Sequence, residues 1–85
     1  MTYLIPHGER VEAWGPEEEP DGFIWRKTTH NVLEVTNRWR VHTLWWEPQN
    51  TIWREYLKVV TDQGLLCVIF RDLLRGGWFM NRIYD

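Results

Sequence analysis

With 85 residues the chain has room for one domain at most, and a net charge of −2 argues against a general polyanion binder. Seven Trp, three Tyr and three Phe supply the apolar area that so short a chain needs for a core, each ring burying roughly 150–250 Å², which excludes disorder for most of the sequence. The charge is uneven: residues 1–21 carry one Arg against six Asp/Glu, a local −5, and residues 22–85 carry nine Lys/Arg against six Asp/Glu, a local +3.

In chain order, Tyr3-Leu4-Ile5 fits a short strand or pairing segment. Trp14-Gly15-Pro16-Glu17-Glu18-Glu19-Pro20-Asp21-Gly22 reads as a loop or mobile arm, because Gly, Pro and an acidic run all oppose regular pairing. Residues 1–22 are therefore expected to form a flexible acidic N-terminal arm, and residues 23–85 a Trp-rich antiparallel β domain. Residues 23–27 make the first expected strand, Thr28-Thr29 a bend, and residues 31–36 the second strand. Residues 38–46 alternate, with Trp39 and Val41 on one face and Arg38, Arg40 and His42 on the other, the period of a half-buried strand. Glu47-Pro48-Gln49-Asn50 is a turn.

Residues 52–61 are ambiguous. Ile52, Trp53, Tyr56, Leu57 and Val60 also fit a helical stripe that Asn50 or Thr51 would cap. The Val59-Val60-Thr61 end and the aromatic content favour a strand. Asp62-Gln63-Gly64 then suits a hairpin, residues 65–71 form an apolar strand, Leu74-Arg75-Gly76-Gly77 turns the chain, and residues 78–84 close it. Short strands at this spacing predict an all-β fold: a small antiparallel five- to six-stranded SH3-like barrel or rolled sheet. An open sheet of this size would leave an aromatic face in water.

Catalytic signals are weak. The chain contains no Ser. Cys67 lies between Leu66 and Val68 in an apolar run, so it reads as a buried structural thiol. As the single cysteine it forms no intramolecular disulfide, which suits a reducing compartment, and the cytoplasm is the expected location. No apolar run approaches the ~18 residues of a membrane helix, and the first six residues lack the basic flank of a signal peptide. His7, His30 and His42 are scattered without ligand spacing, Glu47 and Glu55 could meet as paired carboxylates but no spacing in the sequence shows it, and Gly76-Gly77 lacks a following Lys-Ser/Thr. The expectation is no enzyme, no metal and no cofactor.

The informative pattern is the interleaving of basic and aromatic residues in Trp25-Arg26-Lys27, Arg38-Trp39-Arg40, His42, Trp45-Trp46 and Trp53-Arg54. Single-stranded nucleic acid is held by cationic grooves with stacking platforms of this composition. Simple alternation also produces it, with Trp inward and Arg outward, so Trp25, Trp39 and Trp78 are expected to serve the fold. Trp45 and Trp46 differ, because neighbours on a regular strand point to opposite faces. The expected partner-binding surface is Arg38, Arg40, His42, Trp45, Trp46 and Arg54. Glu17-Glu18-Glu19 lying over the Arg38/Arg40 face would mimic or exclude phosphate, in which case removing residues 1–21 should raise oligonucleotide affinity.

An ordered set of short pieces also carries a resemblance. It runs from Phe23-Ile24-Trp25-Arg26 through His30, Val32, Val35, Trp39 and Trp45-Trp46 to Arg54-Glu55-Tyr56-Leu57-Lys58-Val59, Phe70-Arg71-Asp72, Gly77-Trp78-Phe79 and Tyr84-Asp85. From Phe23 to Asp85 the chain resembles a small bacterial domain of unknown function that occurs alone in short proteins. It is also similar to the C-terminal tail of ImuB-type proteins, the inactive Y-family polymerase relatives of mutagenesis cassettes. Lys27-Thr28 departs from the Gly-Arg often found there, and the sequence holds no polymerase-like body. The resemblance implies an accessory to translesion synthesis or DNA damage tolerance, with no catalytic residues to carry over. Three functions follow in order of preference. The first is a protein-interaction module docking to a DNA polymerase or repair factor. The second is a single-stranded nucleic-acid binder, and the third a structural homo-oligomer. Monomer and homodimer both stay open, and no membrane partner is expected.

Overall fold

Period-two patterning runs through both the acidic and the basic parts of the chain, and the chain folds accordingly. The computed structural model describes residues 2–44, 46–47 and 49–84. Its six strands are β1 (Thr2–Trp14), β2 (Gly22–Trp25), β3 (Thr28–Thr43), β4 (Ile52–Thr61), β5 (Leu66–Asp72) and β6 (Trp78–Tyr84). All neighbours are antiparallel and pair in sequence order, and β1 returns to β6, so the sheet closes into a barrel. Residues 52–61 are the strand β4 and not a helix. Closure turns one side chain in two inward. Val11, Phe23, Leu57, Val59, Cys67, Ile69 and Met80 fill the interior, where each large apolar side chain contributes roughly 1.5–3 kcal/mol.

The expected boundary at residue 23 is corrected. The first strand of the barrel lies within the supposed arm. Thr2–Leu4 pair with Tyr84–Arg82 and Glu9–Val11 with Met80–Trp78, with a register shift between Leu4 and Glu9. Arg10-Val11-Glu12-Ala13 alternates as a half-buried strand should, with Val11 buried and Ala13 packed on the core. The charged residues of this segment are the outer partners of inner apolar ones, and the acidic run proper starts only at Glu17. At the register shift Gly8 takes a φ of 79° and presses on Phe70, where a Cβ would lie 2.7 Å from the ring.

Two further expectations change. The turn after β2 is Arg26-Lys27, with φ of 49° and 67°, while Thr28 pairs with Trp25. It is a tight hairpin connection made without glycine, two residues earlier than the expected bend. The two strands expected across residues 31–46 are one strand. What separates them is a pair of register shifts, Val32/Glu34 and Val35/Asn37, that bend β3 without breaking it. β3 stops at Thr43, and Leu44 turns the chain with a φ of 53°. The turns expected at residues 62–64 and 74–77 are present. Asp62 clamps the first to β3 by accepting from Asn31 N at 2.9 Å and Asn31 Nδ2 at 2.8 Å.

His30 is a core residue. It stacks on Phe23 at 5.2 Å, its Nδ1 hydrogen-bonds Thr61 Oγ1 at 3.2 Å, and only 5% of it meets solvent. Burial holds its imidazole below the ordinary pKa of 6.5. The unfolded chain therefore takes up a proton near that pH that the folded chain refuses. Stability should fall as pH drops below about 6.5. Urea midpoints at about pH 7.5 and about pH 5.5 should show this loss in the wild type and a smaller one in His30→Phe.

A steric prediction follows from the β1–β2–β3 corner. A Cβ on Gly22 would lie 2.6 Å from the His30 carbonyl oxygen and also meet the Trp14 ring. The backbone oxygen cannot yield, so Gly22→Ala should cost about 2 kcal/mol. Gly64, with a φ of 76°, has nothing within 4 Å, so Gly64→Ala should cost only the left-handed strain, about 1 kcal/mol. Chemical denaturation of the two variants side by side checks the order.

Candidate functional site

Register decides where the predicted residues point. In the β3–β4 pair, Arg38 faces Leu57, Arg40 faces Glu55 and His42 faces Trp53. Glu55, Leu57, Val59 and Thr61 are the buried set of β4. Arg38, Arg40 and His42 thus share the inner face, and Trp39 and Val41 the outer one. The simple expectation of Trp inward and Arg outward is reversed in this stretch.

The reversal is explained by Glu55. Its carboxylate sits on the core side of β4 at the barrel mouth, with 3% of the residue exposed. Burying a carboxylate without partners is prohibitive. Three arginines supply them: Arg40 Nε donates to Oε2 at 2.9 Å, and Arg38 Nη1 and Arg71 Nη2 donate to Oε1 at 3.1 and 3.5 Å. Arg71 comes from β5, where it pairs with Glu55 across the ladder.

The acidic loop between β1 and β2 completes this cluster. Arg38 Nη2 meets Glu19 Oε1 at 2.6 Å and Arg38 Nη1 donates to the Glu18 carbonyl at 3.2 Å. Arg71 Nη1 donates to the Glu17 carbonyl at 3.2 Å and lies 4.0 Å from its carboxylate. The loop lies over Arg38 and Arg71, whereas the bond from Arg40 goes to Glu55. The carboxylates that could have met as a pair have separate partners: Glu47 accepts from Asn50 Nδ2 at the hairpin turn, and Glu55 accepts from the arginines.

The outer face carries a row of rings across four strands. Trp39 stacks on Tyr56 at 5.4 Å with 3° between planes, Tyr56 meets Phe70 at 5.3 Å, and Phe70 stacks on Phe79 at 5.1 Å. Arg54 lies 4.3 Å from the Phe70 ring and donates to the Tyr56 hydroxyl, and Arg10 caps Phe79. Phe70 is covered, but the Trp39 end of the row is 40% exposed. Trp39 is therefore a surface residue, contrary to the expectation that it serves the fold. Trp78 is buried and Trp25 packs against the core, as expected.

The predicted partner residues that the structure describes, Arg38, Arg40, His42, Trp46 and Arg54, do not lie on one face. Arg38, Arg40 and His42 lie on the inner face, with His42 against Trp53 at 4.6 Å and Arg40 over the same ring at 5.7 Å. Arg54 lies on the outer face. Trp46, 61% exposed, is in the β3–β4 turn and not on a strand, so the opposite-faces argument for the tryptophan pair does not apply. Trp45 lies outside the described residues. Sequence reasoning missed Arg71 and Tyr56, and missed the role of Glu55. A signal for Glu55 was present: it shares the period-two register of Leu57 and Val59, and a carboxylate on a core face demands cations.

At the other end of the barrel an open cleft of about 510 Å³ is lined by Tyr3, Trp25, Arg26, Gly64, Leu65, Ile83 and Tyr84. Arg26 reaches from the β2–β3 turn to β1 and donates twice to Glu9, at 3.0 and 3.1 Å, which holds that carboxyl below its usual range. Burial pushes the Cys67 thiol up to about 12, far from the thiolate needed for nucleophilic chemistry. Among the described residues no three His, Cys, Asp or Glu side chains gather as metal ligands, and no helix is long and apolar enough to cross a membrane.

Comparisons with protein families, with curated proteins and with solved structures find no match to this chain.

Glu55→Gln should destabilise the barrel by about 3 kcal/mol, because three guanidiniums then face one another without their central anion. Denaturant midpoints measure the loss, and added salt should reduce it by screening the repulsion.

Proposed function

We propose that this barrel is a non-catalytic protein-interaction module that docks through the outer face of its β3–β4 hairpin. The observation that carries this reading is the Trp39–Tyr56 stack, half in solvent, with Arg54 beside it. Trp, Tyr and Arg are the residue types that dominate binding energy at protein interfaces. Trp39 is also held in place by the rings behind it, so little side-chain freedom is lost on docking. The similarity to ImuB-type tails directs the choice of partner to a DNA polymerase or repair factor of the damage-tolerance machinery, in the reducing cytoplasm that a free cysteine suits.

A protein is favoured over a nucleic acid by the charge pairing. Arg38 and Arg40 are engaged by Glu55 and Glu19, and a phosphate backbone would have to compete with those carboxylates. Single-stranded nucleic acid is the second reading, on the ground that Trp39 offers a stacking platform next to Arg54.

Calorimetry with a purified translesion polymerase or repair protein should show Trp39→Ala binding at least about tenfold more weakly, a loss of ~1.4 kcal/mol, with the circular dichroism unchanged. Unaltered affinity would sink the proposal. Quenching of tryptophan fluorescence by an oligonucleotide at low salt, absent in Trp39→Ala, would shift the assignment to nucleic acid. A concentration-dependent dimer in sedimentation, lost in the same variant, would shift it to self-association.

A further inference from the structure

We propose that the arginine cluster at the barrel mouth is a receptor for an acidic peptide segment of a protein partner, with the chain's own loop 15–21 as its resident occupant. This surface lies on the inner face of the hairpin and does not depend on the docking role of Trp39.

Charge gives the first reason. Arg38, Arg40 and Arg71 surround the single carboxylate of Glu55, which leaves a local excess of two positive charges at a half-buried mouth. Glu17 and Glu19 of the loop bring two negative charges to it. The site is therefore electrostatically complete only while an acidic segment is seated.

The manner of contact identifies the ligand class. The loop meets the guanidiniums with two successive main-chain carbonyls, Glu17 O and Glu18 O, and with the carboxylate of Glu19. Neighbouring carbonyls interspersed with carboxylates are what an acidic peptide presents and what a phosphodiester backbone does not.

The loop is also built to leave. Its fixed points are at the ends of the segment, where Asp21 N donates to the Trp14 carbonyl and Val32 N to the Asp21 carbonyl, both at 2.8 Å. Pro20 is buried and stays seated on the barrel, so the part free to move is residues 16–19, which carry one internal bond, Glu19 N to the Pro16 carbonyl, and hydrogen bonds to Arg38 and Arg71. The Glu17 and Glu19 side chains are 89% and 56% exposed, so water stands ready to replace those contacts. The tip can swing away without opening the barrel. Arg71 Nε is buried and has no hydrogen-bond partner among the described residues.

The test uses the full chain and a labelled synthetic peptide with the sequence of residues 15–22, followed by fluorescence anisotropy at low salt. A Glu17→Gln/Glu19→Gln variant, whose own loop is weakened, should bind this peptide at least about tenfold more tightly than the wild type. Adding Arg38→Gln should abolish the gain and Arg38→Lys should reduce it, with near-ultraviolet circular dichroism confirming the fold of each. A peptide with Gln at its three Glu positions should not bind. Trp39→Ala in the weakened-loop background should leave the affinity unchanged, which separates failure here from failure of the outer-face reading. Equal binding by wild type and double variant, or binding indifferent to Arg38, would overturn the proposal. So would an oligodeoxythymidylate that gains as much as the peptide, since that assigns the cluster to nucleic acid.

Discussion

The pairing of β1 with β6 is the constraint on which the rest depends. It converts a six-stranded meander into a ring, and a ring has an inside. Once closed, every strand must present one face to the interior, which fixes the register of the inward residues on all six strands. The same strand β1 runs on to pair with β2 and anchors the start of the acidic loop through Trp14, and it brings Gly8 onto Phe70, which lets that ring sit buried on the outer side of the sheet. The N-terminal segment is thus structural in three ways at once: it closes the core, tethers the loop and covers the aromatic row. For this reason removal of residues 1–21 cannot serve as a test of the loop; it removes the closing strand, and substitutions at Glu17 and Glu19 take its place.

A carboxylate on the core face of β4 is the second organising feature. An apolar residue at that position would pack against Leu57 and need no partner. Glu55 instead requires cations, and buried ion pairs of this kind seldom add net stability over an apolar replacement. What the arrangement secures is position. Three guanidiniums from two strands are held at one mouth of the barrel, and two of them, Arg38 and Arg71, receive the loop that closes it. The hairpin that carries two of them therefore has unlike faces, one charged and turned towards the mouth, the other aromatic and turned to solvent.

Those two faces explain how far the site was legible. The residues picked out on composition, Arg38, Arg40, His42, Trp46 and Arg54, do surround the hairpin. Their grouping was not legible, because the side a strand turns inward depends on what its neighbours pair with. Arg40 faces inward because it pairs with Glu55, and Glu55 faces inward because it shares parity with Leu57 and Val59. Arg71, thirty-one positions beyond Arg40 in the chain, joins them only through the β4–β5 ladder. Composition misled in the same way at the N-terminus, where the charged outer residues Arg10 and Glu12 hid the alternation of Val11 and Ala13.

By itself the sequence determined the class of fold, the positions of most turns, the burial of Cys67 and the strand at residues 52–61, since period-two patterning, turn chemistry and β-branched content are local properties. It also showed the opposed charge of the acidic run and the later arginines, without placing both in one domain. Only the tertiary structure decided that β1 closes the ring, that Glu55 sits at its mouth, and that the loop seats on Arg38 and Arg71. Each of these is a matter of register between strands distant in the chain, and a shift of one residue would exchange the two faces.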